Sequence, residues 1–276
     1  MDAALRVQLA DASHLVAVQG DTLAGRLEFF VAPPFELVLF HPTHVEAAAL
    51  ARVVSALATA ARSHAAGLGA ARLRWILEDR GDHAEALVAL APQLGFSHDV
   101  TKVLVRAPIE RVVAAGGAAL RAKTVLSPAR GSKDPELIEA LAEVLATSVT
   151  ESDRKTDATE FLAQMEERCR ADEVFFPEDW QLARVGERAA GFVLPAFADR
   201  SRQPATNLYL GVLPWARSRG LAQAMASRGM RAMQGRGATR YVDSCDVRNA
   251  PMRSVFARLG CSRIATQTIF TAPVIA

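Results

Sequence analysis

Hydrophobic positions in the second half of the chain change period several times. Two short apolar runs, Gln181–Val185 and Ala189–Pro195, flank Gly186-Glu187-Arg188, a spacing that predicts a hairpin. A polar stretch from Asp199 to Thr206 leads into a third run, Asn207–Leu213, which Pro214 closes. Leu221, Met225, Gly229 and Met233 then recur at helical spacing, and Gly235 and Gly237 stop that helix. Arg240–Cys245 alternates like a strand. Asn249 to Leu259 reads as a helix ending at Gly260, and Arg263–Phe270 as a last strand.

The first half repeats this order. Leu23–Val31 and Phe35–Phe40 read as strands, and Pro42 stops the second. His44 to Ala66 is expected to be helical and is closed by Gly67 and Gly69. Arg72–Leu77, Ala84 to Leu94 and Thr101–Arg106 follow as strand, helix and strand. Two related α/β domains are expected, residues 1–110 and 120–276, joined by an Ala- and Gly-rich linker near Ala107–Ala119. The second opens with a strand around Arg121–Leu126. A helix capped by Asp134 with Pro135 at its first position comes next, then a helix begun by the capping box Asp157–Glu160.

Composition narrows the classes of function. The 276 residues carry 32 basic and 30 acidic side chains for a net charge of +2, without the basic stripe of a nucleic-acid binder. Cys169, Cys245 and Cys261 have neither metal spacing nor an even disulfide count, which fits a reducing compartment. The longest weakly charged apolar stretch, Ala47 to Ala61, contains Arg52 and is too short to span a bilayer. The first residues lack a basic region followed by an apolar core. A cytoplasmic protein without nucleic-acid or membrane partner is expected, as a monomer or a homodimer. His41 and His44 have no evident third ligand, so no metal site is expected.

The candidate chemistry lies after Pro214. Arg217-Ser218-Arg219-Gly220-Leu221-Ala222 joins a strand to a long helix. A helix start offers unpaired N–H groups and the positive end of the dipole. Gly220 removes a side chain that would block close approach, Ala222 keeps the next turn small, and two arginines flank the cradle. A charge there is worth about 0.3–1 kcal/mol. Gly211-Val212-Leu213-Pro214 precedes this loop, and Asn249-Ala250-Pro251-Met252, Phe256 and Leu259-Gly260-Cys261 follow it.

Together these elements resemble the GNAT acyltransferase superfamily over roughly residues 120–276. The resemblance implies an α+β fold of two tandem GNAT-like domains, each a mixed, mostly antiparallel sheet flanked by helices. It implies acetyl-CoA as co-substrate, bound where the strand before the loop splays from the next. Backbone groups at Leu210, Gly211 and Val212 would meet the acetyl and pantetheine parts, and Arg217, Ser218, Arg219, Gly220, Leu221 and Ala222 the pyrophosphate. Asn249, Met252 and Phe256 would lie on the cofactor's other side. The connection holding Glu151, Asp153 and Arg154 would border the acceptor, and is read as a solvated loop. The first half departs from the motif: Val45, Ala48 and Leu50 stand where the loop needs Arg, Gly and a small residue, so that domain reads as degenerate.

The family's usual catalytic positions are also altered. Thr206 and Ser244 stand where members carry a Glu, and Phe256 where many carry a Tyr acid. A lost base costs roughly 10²–10⁴-fold, whereas holding reactants in register contributes about 7–11 kcal/mol, so an enzyme survives the loss. Asp246 and Tyr209 are candidate replacements, beside Ser244 and Asp243. The expectation is an N-acetyltransferase acting on a small amine acceptor by direct attack, an amine of low pKa being favoured. The other reading is a non-catalytic acyl-CoA-binding or regulatory module.

Overall fold

A computed structural model describes residues 4–32, 36–116, 124–172, 174 and 176–274. The first half contains β1 (Leu5–Asp11), β2 (His14–Gln19), β3 (Thr22–Ala32), β4 (Glu36–Leu39), α1 (Leu50–Gly67), β5 (Arg72–Glu78), α2 (Ala84–Leu90), β6 (Ser97–Pro108) and α3 (Ile109–Ala115). The second continues with β7 (Thr124–Pro128), α4 (Pro135–Ala146), α5 (Glu151–Arg154), α6 (Ala158–Asp172), β8 (Gln181–Val185), β9 (Arg188–Phe197) and β10 (Pro204–Val212). It ends with α7 (Leu221–Gly235), β11 (Arg240–Asp246), α8 (Ala250–Arg258) and β12 (Ser262–Pro273).

The chain divides into two units. One holds the residues up to Lys102 together with those from Ala265 onward; the other is Val103–Ile264. The expected boundary near residues 107–119 therefore falls elsewhere, inside β6. Residues 117–123, where that linker was expected to end and the second domain to begin, lie outside the described residues. The last strand runs on to Pro273, and its final part pairs antiparallel with β5 from Gln267↔Glu78 to Pro273↔Arg72, inside the first unit.

The first unit's strands lie in the order β1-β2-β3-β4-β5-β12. Helix α1 covers them with Val53, Val54, Leu57, Ala58, Ala61 and Ala65, which recur every three or four residues and are buried. Trp75 and Phe96 meet in the same core with ring centroids 5.2 Å apart. Strand β4 pairs in parallel with β5 along its whole length, from Glu36↔Arg72 to Leu39↔Trp75. Buried Glu36 is neutralised by Arg72 and Arg74.

The second unit's strands are ordered β6-β11-β10-β9-β8-β7, antiparallel from β10 to β7 and parallel between β10 and β11. The expected hairpin is β8–β9. Helices α4 and α7 pack on β9 and β10. Asp134 caps α4 by accepting from the N–H groups of Glu136 and Leu137, a contact worth about 1 kcal/mol.

The strands β1 and β2 and the helix α3 were not among the expected elements. β1 is exposed at most positions, so it has no buried face to pattern it. β2 follows it in the same hairpin. α3 stands in the expected linker, where only Ile109 and Val112 are buried, and α7 holds its end through Ser227 Oγ to the Val113 carbonyl (2.8 Å) and Gln223 Nε2 to the Ala115 carbonyl (2.9 Å). The expected helix from His44 starts late: His44 has φ 61°, and a 3₁₀ turn at Ala47–Ala49 precedes α1.

Candidate active site

The site begins with a failure of strand pairing. β10 and β11 pair only at Pro204↔Arg240 and Ala205↔Tyr241 and then separate, although β10 stays paired to β9 as far as Val212. A bulge between Asn207 and Tyr209 accompanies the split. Bulges re-aim side chains. Asn207 faces α7, where a Cβ on Gly229 would lie 2.8 Å from its Oδ1, whereas Tyr209 stacks on Phe192 at 6.0 Å. A Cβ at Gly211 would meet the Phe192 ring and Val144 at 2.8 Å, so this strand end tolerates no side chain there. Past Ala205 the edge of β10 toward β11 is open, and the Val212 carbonyl accepts from Arg217 Nε at 3.1 Å.

The loop that follows is built as a cradle. After a 3₁₀ turn at Pro214–Ala216, Arg217 is extended, and Ser218 and Gly220 have φ of 63° and 79°. Gly220 is the N-cap of the 15-residue α7, and no side chain caps the helix. Its first-turn N–H groups and the turned backbone before them form a concave donor surface for an anion. Leu221 turns its side chain into the core, so only its backbone belongs to this surface, and Ala222 is half-buried. Arg219 lies over Trp215 (5.6 Å), whose ring also carries Arg188 (4.4 Å). Arg217 does not point freely at the cradle: its Nη2 donates to the Thr147 hydroxyl at 2.7 Å.

The other expected residues separate into structural and available groups. Asn249 caps α8, accepting from the Met252 N–H at 3.1 Å, so its side chain is committed to the fold. Phe256 is 2% exposed within the main core; the expected cofactor contact is not available to it. Met252 is half-buried against the same core. Ser244 is half-buried, with its N–H donating to Asp243 Oδ1 at 2.7 Å.

Asp246 is also committed. It is buried and accepts from the Arg248 N–H (2.8 Å), from Arg248 Nε and Nη2 (3.1 and 2.6 Å) and from the Thr150 hydroxyl (3.3 Å). Burial raises its pKa, but the bonds from Arg248 outweigh that and hold it below the ordinary value. A carboxylate so stabilised is a poor proton acceptor.

Tyr209 fails as a base for the opposite reason. Burial first, and then the charge of Asp153, push its pKa well up, and its hydroxyl donates to Asp153 Oδ2 at 3.1 Å. Asp153 belongs to the short helix α5 where a solvated loop was expected, and Ser148 Oγ donates to the same oxygen at 2.7 Å. The sequence shows an acidic residue in that connection but not its pairing with β10. Among the described residues, no group of His, Cys, Asp and Glu could hold a metal ion, and no helix is long and apolar enough to cross a membrane.

The model of the acetyltransferase (GNAT) family matches residues 138–261, which include β10, the cradle, α7, β11 and α8. This stretch is a GNAT acetyltransferase domain. No curated protein matches the chain in sequence. Among solved structures, a GCN5-related N-acetyltransferase from Sphaerobacter thermophilus superposes with TM-score 0.63 at 15% identity, over 98% of this chain and 83% of that one. A tandem GNAT protein of the clavulanic acid biosynthesis pathway gives TM-score 0.56 at 15% identity, over 95% and 83%. A GCN5-related N-acetyltransferase from Kribbella flavida gives 0.56 at 14%, over 98% and 90%. At such identities these likenesses show the fold alone.

Proposed function

We propose that the protein is an acetyl-CoA-dependent N-acetyltransferase for a small amine. The observation that carries this reading is the coincidence of two features. The β10/β11 pair opens after Ala205, and the uncapped start of α7 follows the open strand by a few residues. The first offers strand-edge backbone groups to an amide-rich pantetheine arm. The second offers N–H donors and a left-handed Gly220 to a pyrophosphate. Leu210, Gly211 and Val212 would then lie along the arm, and residues 217–222 against the pyrophosphate, with the Val212 N–H polarising the thioester carbonyl. Arg217 would have to exchange its bonds to Thr147 and Val212 for the anion.

Acetyl-CoA supplies an activated acyl group with a good leaving thiolate, and the chain supplies position. Residues 1–110 would serve as a degenerate GNAT-like partner without a cofactor of its own. One observation favours a binding or regulatory role instead: neither Thr206, Ser244 nor the locked Asp246 provides a free base. Release of free CoA thiol from acetyl-CoA in the presence of amines near pH 8 separates the two readings. The acetyltransferase reading requires amine-dependent release that Gly220→Glu abolishes. Binding of acetyl-CoA without release for any amine contradicts it.

A further inference from the structure

The segment from Thr147 through α5 is pinned to both arms of the open strand pair. Thr147 is held by Arg217, Thr150 donates to Asp246 on β11, and Asp153 accepts from Tyr209 on β10. It forms a clasp across the cleft. Of the carboxylates there, Asp246 has both oxygens engaged, and Asp243 accepts from the Tyr241 hydroxyl and the Ser244 N–H. Asp153 differs. Both of its bonds fall on Oδ2, Oδ1 takes none among the described residues, and the side chain is half-buried rather than sealed. Beside it the Tyr209 ring lies between Phe192 (6.0 Å) and Phe161 (5.7 Å).

Building on the acetyltransferase reading, we infer that Asp153 anchors an ammonium group of the acceptor and that the acceptor is a diamine. One nitrogen is held as a cation at Asp153, and the other attacks beside Val212. A carboxylate favours the protonated form of an amine it binds, so the anchored nitrogen is not the nucleophile. From Tyr209 to Val212 the strand advances about 10 Å at roughly 3.3 Å per residue, room for a short methylene chain between two nitrogens. The nucleophile is the fraction of the second nitrogen that is neutral near pH 8, so the step draws on no base at Thr206 or Ser244. Its lone pair forms the C–N bond to the thioester carbonyl, the C–S bond breaks, and the departing CoA thiolate takes up the proton that the acetylated nitrogen loses.

Thiol release with acetyl-CoA is measured for matched amines, putrescine against butylamine and cadaverine against pentylamine. The diamines should show kcat/KM higher by about tenfold or more, the scale of one anchored charge. Asp153→Asn should raise KM for the diamines by a similar factor and that for the monoamines much less, so that the preference for diamines is lost. Tyr209→Phe, which leaves Asp153 in place, should give a smaller rise. Calorimetric titration of cadaverine into the CoA complex should show the same loss in Asp153→Asn without turnover. Equal kcat/KM for diamines and monoamines, or an equal loss of both in Asp153→Asn, overturns the anchor. So does acetyl-CoA binding with no diamine turned over. Failure of the unaltered protein to bind acetyl-CoA removes the acetyltransferase reading itself, and the anchor with it.

Discussion

The same strand–proline–helix–strand order occurs in both halves, yet the two parallel strand pairs end differently. In the first unit β4 stays paired to β5 through Leu39↔Trp75, and the Trp75 indole then donates to the Phe40 carbonyl at 3.1 Å. Thr43 is next tied to Arg26 by two backbone bonds of 2.9 Å, and α1 starts behind an Ala-only 3₁₀ turn with Ala49 as its N-cap. In the second unit β10 leaves β11 after Ala205↔Tyr241, bulges, and runs into a loop with two left-handed residues before α7, which like α1 has no side-chain cap. One repeated pattern thus builds two similar scaffolds. Of these two pairs, the one that opens is the one where pairing stops early and glycine bares the backbone.

Gly220→Glu breaks this contrast most severely. The new residue must adopt φ near 79° and would set a carboxylate against the donors of the cradle. Acetyl-CoA affinity should fall by about 100-fold or more, with the circular dichroism spectrum retained. Undiminished binding would mean that the cradle is not the cofactor site.

Asp246→Asn tests the clasp on the β11 arm. Losing a charge-assisted network of this kind costs about 2–3 kcal/mol. The sign with pH follows from the direction of the shift. Asp246 is held below its ordinary value of 3.8, so its stabilisation is complete above that pH and is lost as pH falls through the folded value. Chemical denaturation should therefore separate variant from parent at pH 7 and bring them together toward pH 2–3. A difference that stays constant over that range contradicts the ionised network.

Trp75→Phe applies the smallest change, on the closed pair. Removing the indole N–H leaves the Phe40 carbonyl short of a donor, a cost of about 1–3 kcal/mol in stability. Acetyl-CoA stoichiometry and affinity should not move. A second binding event in this variant would show that one hydrogen bond had kept a latent site shut.

Much of this contrast is legible in the sequence, though not all at the same level. Gly235, Gly237 and Gly260 mark helix ends, and the step from Gly186 to Arg188 marks the β8–β9 turn, because local backbone demands fix residue choice there. The cradle is legible for the same reason: Gly220 sits where φ is positive. The side-chain roles were harder to read, since they depend on partners distant in the chain. Asp246 resembles a free carboxylate until Arg248 and Thr150 close on it, and Phe256 resembles a cofactor contact until the core covers it. Asp153 has the converse history: a polar residue in a connection, given meaning by Tyr209 reaching it from β10. The pairing of the last strand with β5 is invisible to pattern, because Ile269 and Phe270 are apolar wherever they pair.

On the proposed function, each chain holds one cofactor cleft, at β10/β11, and one closed counterpart, at β4/β5. Calorimetric titration of the purified protein with acetyl-CoA, and separately with CoA, tests it most directly. One site per chain is expected, lost in Gly220→Glu. Two sites per chain, or one site that survives Gly220→Glu, would contradict it.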